Sequence, residues 1–194
     1  MLQITIPYFA FEDGVGFLRI KKWIIHNPFW KTAFYIHVVT SCVCLFAGFT
    51  QFSGSLLKKQ PTLHRTIGWT YIVTVLLLSG PSGLVMSLFA NGGVLSQAAF
   101  TSLSLLWIYF TLKAFLYAKA GNFPEHRKFM IRSYALTLSA VTLRAWKFAI
   151  ALTLRPHPMD VYMIVAWLGW VPNLLVAEWY LRLGWHSMKA KLRW

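Results

Sequence analysis

TIGWTYIVTVLLLSGPSGLVMSLFANGGVLSQAAFTSLSLLWIYFTL, residues 66–112, runs from Arg65 to Lys113 without one fixed charge. A bilayer-spanning helix needs about 20 mostly apolar residues. This run is long enough for two such helices, and Asn91-Gly92-Gly93 divides it where a tight turn belongs. Another uncharged stretch lies between Lys31 and Lys58. A fourth apolar segment extends from about 129 to 154 and is ended by Pro156 and Pro158; a fifth lies between Asp160 and Arg182. The expectation is an all-α integral membrane helical bundle of five transmembrane helices, over 32–55, 65–90, 94–118, 127–154 and 160–181. A membrane β-barrel would need alternating segments of about 10 residues, and these runs are continuous.

Composition points the same way. Of 194 residues, 57% are apolar, 17% aromatic and only 12% charged, against about 25% charged in a soluble domain. The mean hydropathy is +0.54. Nineteen basic against five acidic residues raise the question of nucleic acid. A nucleic-acid binder gathers its cations on a wetted face, whereas here they punctuate uncharged runs, so no nucleic-acid partner is expected. There is no Walker loop, G-x-G-x-x-G, H-E-x-x-H, C-x-x-C or nucleophile elbow, which excludes the soluble hydrolase and nucleotide chemistries those motifs mark.

Basic residues near span ends set orientation. One side carries Lys58, Lys59, Arg65, Lys119, Arg127, Lys128, Arg182, Lys189, Lys191 and Arg193, ten in all; the other carries Arg19, Lys21, Lys22, Lys31 and Arg155, five in all. This places the N-terminus outside and the C-terminus in the cytoplasm of a bacterial inner membrane. Residues 1–30 then form an extracytoplasmic interfacial segment, 31–182 the transmembrane domain, and 183–194 a basic cytoplasmic tail. The first 14 residues lack the basic start of a signal peptide, and Glu12 and Asp13 interrupt their apolar run. Over 14–30, Phe17, Ile20 and Ile24 share one face of an interfacial helix and Lys21 and Lys22 another. Trp23, Trp30, Trp179 and Trp185 fall where aromatic belts form. Cys42 and Cys44 read as small hydrophobes.

Polar and small positions should look into the bundle. The first span carries His37, Thr40, Ser41, Cys44, Gly48, Gln51 and Ser55 on one stripe; the fourth carries His126, Ser133, Thr137, Ala140, Arg144 and Ala151. The second carries His64, Gly68, Tyr71, Ser82 and Gly83, and Pro81 should disturb its backbone. These three stripes are expected to face one another. By the 1.5 Å rise per residue they form two layers: an outer one with His37, Arg144 and Lys147, and an inner one with His64, His126, Arg132, Lys113, Gln51 and Glu178. A weak repeat links Pro61…His64-Arg65…Tyr71 with Pro124…His126-Arg127…Tyr134, the mark of a parallel repeat about the membrane normal.

A cation at the bilayer centre costs about 2.5–3.5 kcal/mol on the insertion scale. Lys113, Arg132, Arg144 and Lys147 all lie within spans, where Glu178 is the one acid. Lys113 snorkels, and Arg132 snorkels or pairs with Glu178. Arg144 calls for an anion or strong acceptor: a haem propionate, a quinone carbonyl, a lipid phosphate, or backbone carbonyls freed at Pro81. Helix-borne histidines are also the usual axial ligands of b-type haem. His64 with His126 would hold a haem near the cytoplasmic face, while His37 would need His26 or His157. The plainer alternatives are His-Arg pairs anchoring lipid headgroups and His37 as a satisfied packing residue.

The strings GFTQFS (48–53), LHRTIGWTY (63–71) and HRKFMIRSYALTLSAVTLR (126–144) resemble a family of uncharacterised bacterial multi-pass membrane proteins, a domain of unknown function. The resemblance covers about residues 30–150. It implies that His37, His64-Arg65, His126-Arg127 and Arg144 occupy the family's motif positions, and that relatives carry one more helix at the N-terminus. It names no activity.

Three functions follow for testing. The first is a haem- or quinone-binding redox module using His37, His64, His126, Arg144 and Arg132. The second is a non-catalytic accessory subunit, binding lipid, a membrane-protein partner or a second copy. The third is a small-anion transporter using Arg144 and the disturbed second span.

Overall fold

The computed structural model describes the backbone over residues 16–153 and 158–191, and side chains over 18–153 and 160–183. The expectations for residues 1–15, for His157 as a ligand, and for the side chains of the basic tail lie outside that range. Among the described residues the chain is helical throughout, without strands. Five helices among the described residues are long and apolar enough to cross a membrane: Pro28–Gln51, Pro61–Leu88, Gly93–Lys119, Phe123–Thr153 and Asp160–Leu183. The chain forms two compact units, Met1–Ala90 and Asn91–Trp194.

In the first unit, α1 (Pro28–Gln51) begins where Pro28 supplies a helix-ready φ and Asn27 Oδ1 accepts from the amides of Phe29 at 3.0 Å and Trp30 at 3.3 Å. It ends at Gln51, short of the expected residue 55. Ser53 caps a new short helix, α2 (Gly54–Lys59), its hydroxyl accepting from Leu56 N at 3.2 Å. The second span is α3 (Pro61–Val73), a π-helical turn (Thr74–Ser79) and α4 (Gly80–Leu88). The expected disturbance at Pro81 takes this form. Proline cannot donate, and the widened turn ahead of it bonds Gly80 N to Val75 O instead. α1 packs along this whole span, so two of the three expected stripes do face each other.

The segment before α1 corrects the amphipathic-helix reading. It is a 3₁₀ helix (Gly16–Ile20) followed by hydrogen-bonded turns over 22–26, and Leu18, Ile25, Trp30 and Phe34 make a small core with Met86 and Phe89 against it. Lys21, expected on the wetted face, is 1% exposed, while Ile20, expected on the buried face, is 50% exposed. Lys21 Nζ donates to Phe89 O and lies 5.4 Å from the Trp23 ring centroid and 5.9 Å from that of Trp30. The ammonium thus closes the C-terminal end of α4, where carbonyls lack helical partners. Trp30, expected in an interfacial belt, is buried in that core.

Burial lowers the Lys21 pKa from the ordinary 10.5 to about 8. Between those values the folded lysine is neutral while the unfolded one stays charged. The unfolded state therefore binds more protons there, and folding stability rises with pH. Stability of the wild-type chain, measured as a difference from Lys21→Met, is expected to increase between pH 7.5 and 10. A difference that is flat or falls over this window refutes the assignment.

In the second unit, Gly92 (φ +82°) and Gly93 (φ +69°) turn the chain into α5 (Gly93–Lys119). Gly121 (φ +73°) closes the next turn, and Asn122 Oδ1 caps α6 (Phe123–Thr137) by accepting from Glu125 N at 3.3 Å. The fourth span breaks at Leu138 and resumes as α7 (Ser139–Thr153). The fifth is α8 (Pro158–Leu168), a turn at Gly169–Trp170, and α9 (Val171–Lys191). Neither break was expected. Pro172 explains the second, since it denies a bond to the carbonyl four residues back. At the first, Thr137 bonds back to Ser133 O at 3.1 Å and Thr142 to Leu138 O at 3.2 Å, a pattern that bends helices. α6 packs against α5 and α9, and α7 against α8.

Candidate functional site

The first unit's hairpin has a polar seam. His37 Nδ1 lies 2.8 Å from Ser79 O, at the end of the π turn. Ser79 Oγ donates to Thr40 Oγ1 at 2.6 Å and lies 3.6 Å from Cys44 Sγ. Ser82 Oγ donates to Leu78 O at 2.6 Å and approaches Ser79 O at 3.2 Å. The widened turn thus delivers a carbonyl to the His37 imidazole and a hydroxyl to Thr40 and Cys44. Cys42 and Cys44 are both free thiols, Cys44 buried. His64 lies at the other end of this hairpin. Fifteen residues separate it from Ser79, about 22 Å at 1.5 Å per residue, so His37 and His64 do not converge.

The second unit has its own seam, between α5 and α6. Trp107 Nε1 donates to Thr137 Oγ1 at 3.0 Å, and Thr111 Oγ1 and Ser133 Oγ are 2.7 Å apart. His126 Nδ1 lies 2.8 Å from Ala114 O. The His126–Thr137 half of the fourth-span stripe is therefore answered by the third span, which carries no stripe in the sequence expectation. Thr111 and Ala114 are fully buried and Trp107 nearly so. The missed signal is small or hydroxyl residues at 96, 99, 104, 111 and 114 among bulky apolar ones.

Arg132 reaches Glu178 through two bonds, Nε to Oε1 at 2.5 Å and Nη2 to Oε2 at 3.0 Å. Of the two alternatives for Arg132 the pairing is the one formed, and it commits one edge of that guanidinium to the protein. Lys113 sets its Nζ 5.9 Å from the Tyr109 ring centroid. Arg144 Nη1 donates to Ala140 O at 2.5 Å, a carbonyl one turn back on its own helix. Lys147 is exposed. Asn173 stitches the two breaks of this unit together. Its Nδ2 lies within bonding distance of Ala135 O (3.2 Å), Thr142 Oγ1 (3.0 Å) and Gly169 O (3.3 Å), and the Thr142 hydroxyl shares its one hydrogen between Leu138 O and Gly169 O. A broken helix at membrane depth survives only when its carbonyls find such donors.

His64 belongs to the first unit and His126 to the second. His26 is exposed just before the α1 cap. Among the described residues no group of three or more His, Cys, Asp or Glu side chains is placed to hold a metal ion.

Five apolar spans, two of them opening on a proline followed by His-Arg, match a family profile over residues 34–181, that of the predicted membrane proteins DUF2306. The chain belongs to the DUF2306 family. No curated protein and no solved structure matches it. Membership in DUF2306 agrees with a multi-pass membrane protein, and the family match covers His37, His64, His126, Arg132 and Arg144.

Proposed function

We infer that this DUF2306 protein is a small haem b-binding redox module of the bacterial inner membrane, with its N-terminus outside and its C-terminus in the cytoplasm. The observation that carries the reading is the 2.8 Å contact of His126 Nδ1 with Ala114 O. A carbonyl accepts only from Nδ1–H, which makes Nε2 the nitrogen with the lone pair. Ligating histidines are characteristically oriented by such a bond. His37 makes the same bond to Ser79 O at 2.8 Å. His126 and His37 are thus proposed as iron-ligand candidates within their own units, with His64 a third. Haem, when bound, supplies one-electron chemistry, and its axial ligands and hydrogen bonds set the potential.

The test is the visible spectrum of the purified full chain after haemin titration, with and without dithionite. A stoichiometric Soret band with a reduced α band is expected. His126→Ala should abolish the band it reports, and His126→Met should retain haem at a raised potential. Absence of a saturable Soret band in the wild type overturns the reading.

Small-anion translocation is a second reading, favoured by interruptions near the middle of three spans, at Thr74–Ser79, Leu138 and Gly169–Trp170. Discontinuous helices mark substrate sites in transporters. Chloride flux into proteoliposomes, lost in Arg144→Gln, would support it over the redox reading.

A further inference from the structure

At the inner end of the first unit, Gln51 closes α1 with its Nε2 sealed from solvent and no hydrogen-bond partner. Buried amide donors are rarely left so, because the lost water bonds are not replaced. Opposite stands Gly68 of α3, where a Cβ would lie 3.1 Å from Gln51 Oε1. One turn earlier on the same helix face is His64, whose Nδ1 is likewise shielded from solvent. Exposed apolar side chains surround this end: Phe52, Leu57, Leu63 and Trp69. Lys58, Lys59 and Arg65 are exposed beside them.

We propose that this end of the hairpin binds the head group of a membrane quinone, with Gln51 Nε2 donating to a ring carbonyl. The donor is a neutral amide withdrawn from water, which suits a neutral acceptor; an anion there would be stripped of its hydration without a facing charge. A lipid phosphate is better served by the exposed Lys58, Lys59 and Arg65. Gly68, with no side chain of its own, seats the Gln51 carboxamide against α3 and so holds the donor in place for a ring carbonyl. The surrounding Phe52, Leu57, Leu63 and Trp69 suit the ring face and the isoprenoid tail. The proposal takes its purpose from the redox reading, naming the electron partner's chemical class, but its residues are independent of any haem ligand except His64.

The test is binding of decylubiquinone to the full chain in phosphatidylcholine nanodiscs. Saturable binding is expected, weakened about 5–10-fold by Gln51→Leu, the loss of one neutral hydrogen bond. Gly68→Leu should abolish binding, and the Lys58→Ala/Lys59→Ala double variant should leave it unchanged. Circular dichroism and elution volume verify that each variant is folded, and Gly68→Ala provides a milder version of the notch-filling change. Binding that never saturates, or equal affinity in Gln51→Leu, overturns the site. Binding competed by phosphatidylglycerol and lost in the double lysine variant also overturns it, as a lipid-phosphate site. Haem spectra of the same samples separate the two claims. Quinone binding without haem sinks the haem reading alone, and haem without saturable quinone binding sinks this site alone.

Discussion

Replacing Glu178 with alanine is expected to destabilise the protein by about 2–3 kcal/mol. The carboxylate takes two bonds from the Arg132 guanidinium, at 2.5 and 3.0 Å, and the two side chains are 35% and 20% exposed. Removing one member of a fully buried pair costs about 3–5 kcal/mol, because the other charge is left without its partner; partial exposure here brings the figure down. For chains of this size that is a midpoint lower by about 5–10 °C, read by circular dichroism in detergent. The discriminating variant is Arg132→Leu/Glu178→Leu. With both charges gone it should recover most of the loss, since an apolar pair of similar volume is often neutral. A double variant as unstable as Glu178→Ala would show that shape, not charge, holds α6 to α9.

Gly92→Ala is expected to cost about 2–3 kcal/mol, while Gly93→Ala costs only about 1 kcal/mol. Both glycines have positive φ, +82° and +69°, so both variants pay the left-handed strain of about 1–2 kcal/mol. Their surroundings differ. A Cβ at Gly92 would stand 2.6 Å from Ser96 Oγ, 2.8 Å from Met163 Cγ and 3.2 Å from Tyr162 Cδ1, whereas nothing lies within 4 Å at Gly93. The excess at Gly92 is overpacking, typically about 1–3 kcal/mol, eased where the Met163 and Ser96 side chains yield. Chemical or thermal unfolding of the two variants side by side checks this. Equal losses would mean that α8 does not seat against the turn into α5.

Some of this protein was written into local sequence. The uncharged run over 66–112, broken at Asn91-Gly92-Gly93, was enough to place two spans, because burial of a helix in lipid tolerates so few charges. The starts expected at 32, 65 and 127 each fall four residues late, because Pro28, Pro61 and Pro124, whose fixed φ and missing amide suit a first turn, open the helices at Pro28, Pro61 and Phe123. Depth left Arg132 two outcomes, snorkelling or pairing with Glu178, and the pair is the one that forms, since opposite charges at one level of a membrane seek each other.

Other features required the folded chain. Lys21 has a sequence context that places it with Lys22 on a wet face. It is buried because the segment folds back over the end of α4, where the carbonyl of Phe89 offers a bond that periodicity cannot encode. The break at Leu138 has no proline to announce it; it depends on Asn173 and Thr142, from two different spans, bonding the carbonyls around it. His37 and His126 look alike in sequence to any buried histidine. Only packing reveals that each is tied by Nδ1 to a neighbouring helix's carbonyl. Hydrophobicity and backbone stiffness are local, so sequence alone determined the number, type and approximate limits of the spans. Hydrogen bonds between residues far apart in the chain depend on where helices meet, and these the tertiary structure alone decided.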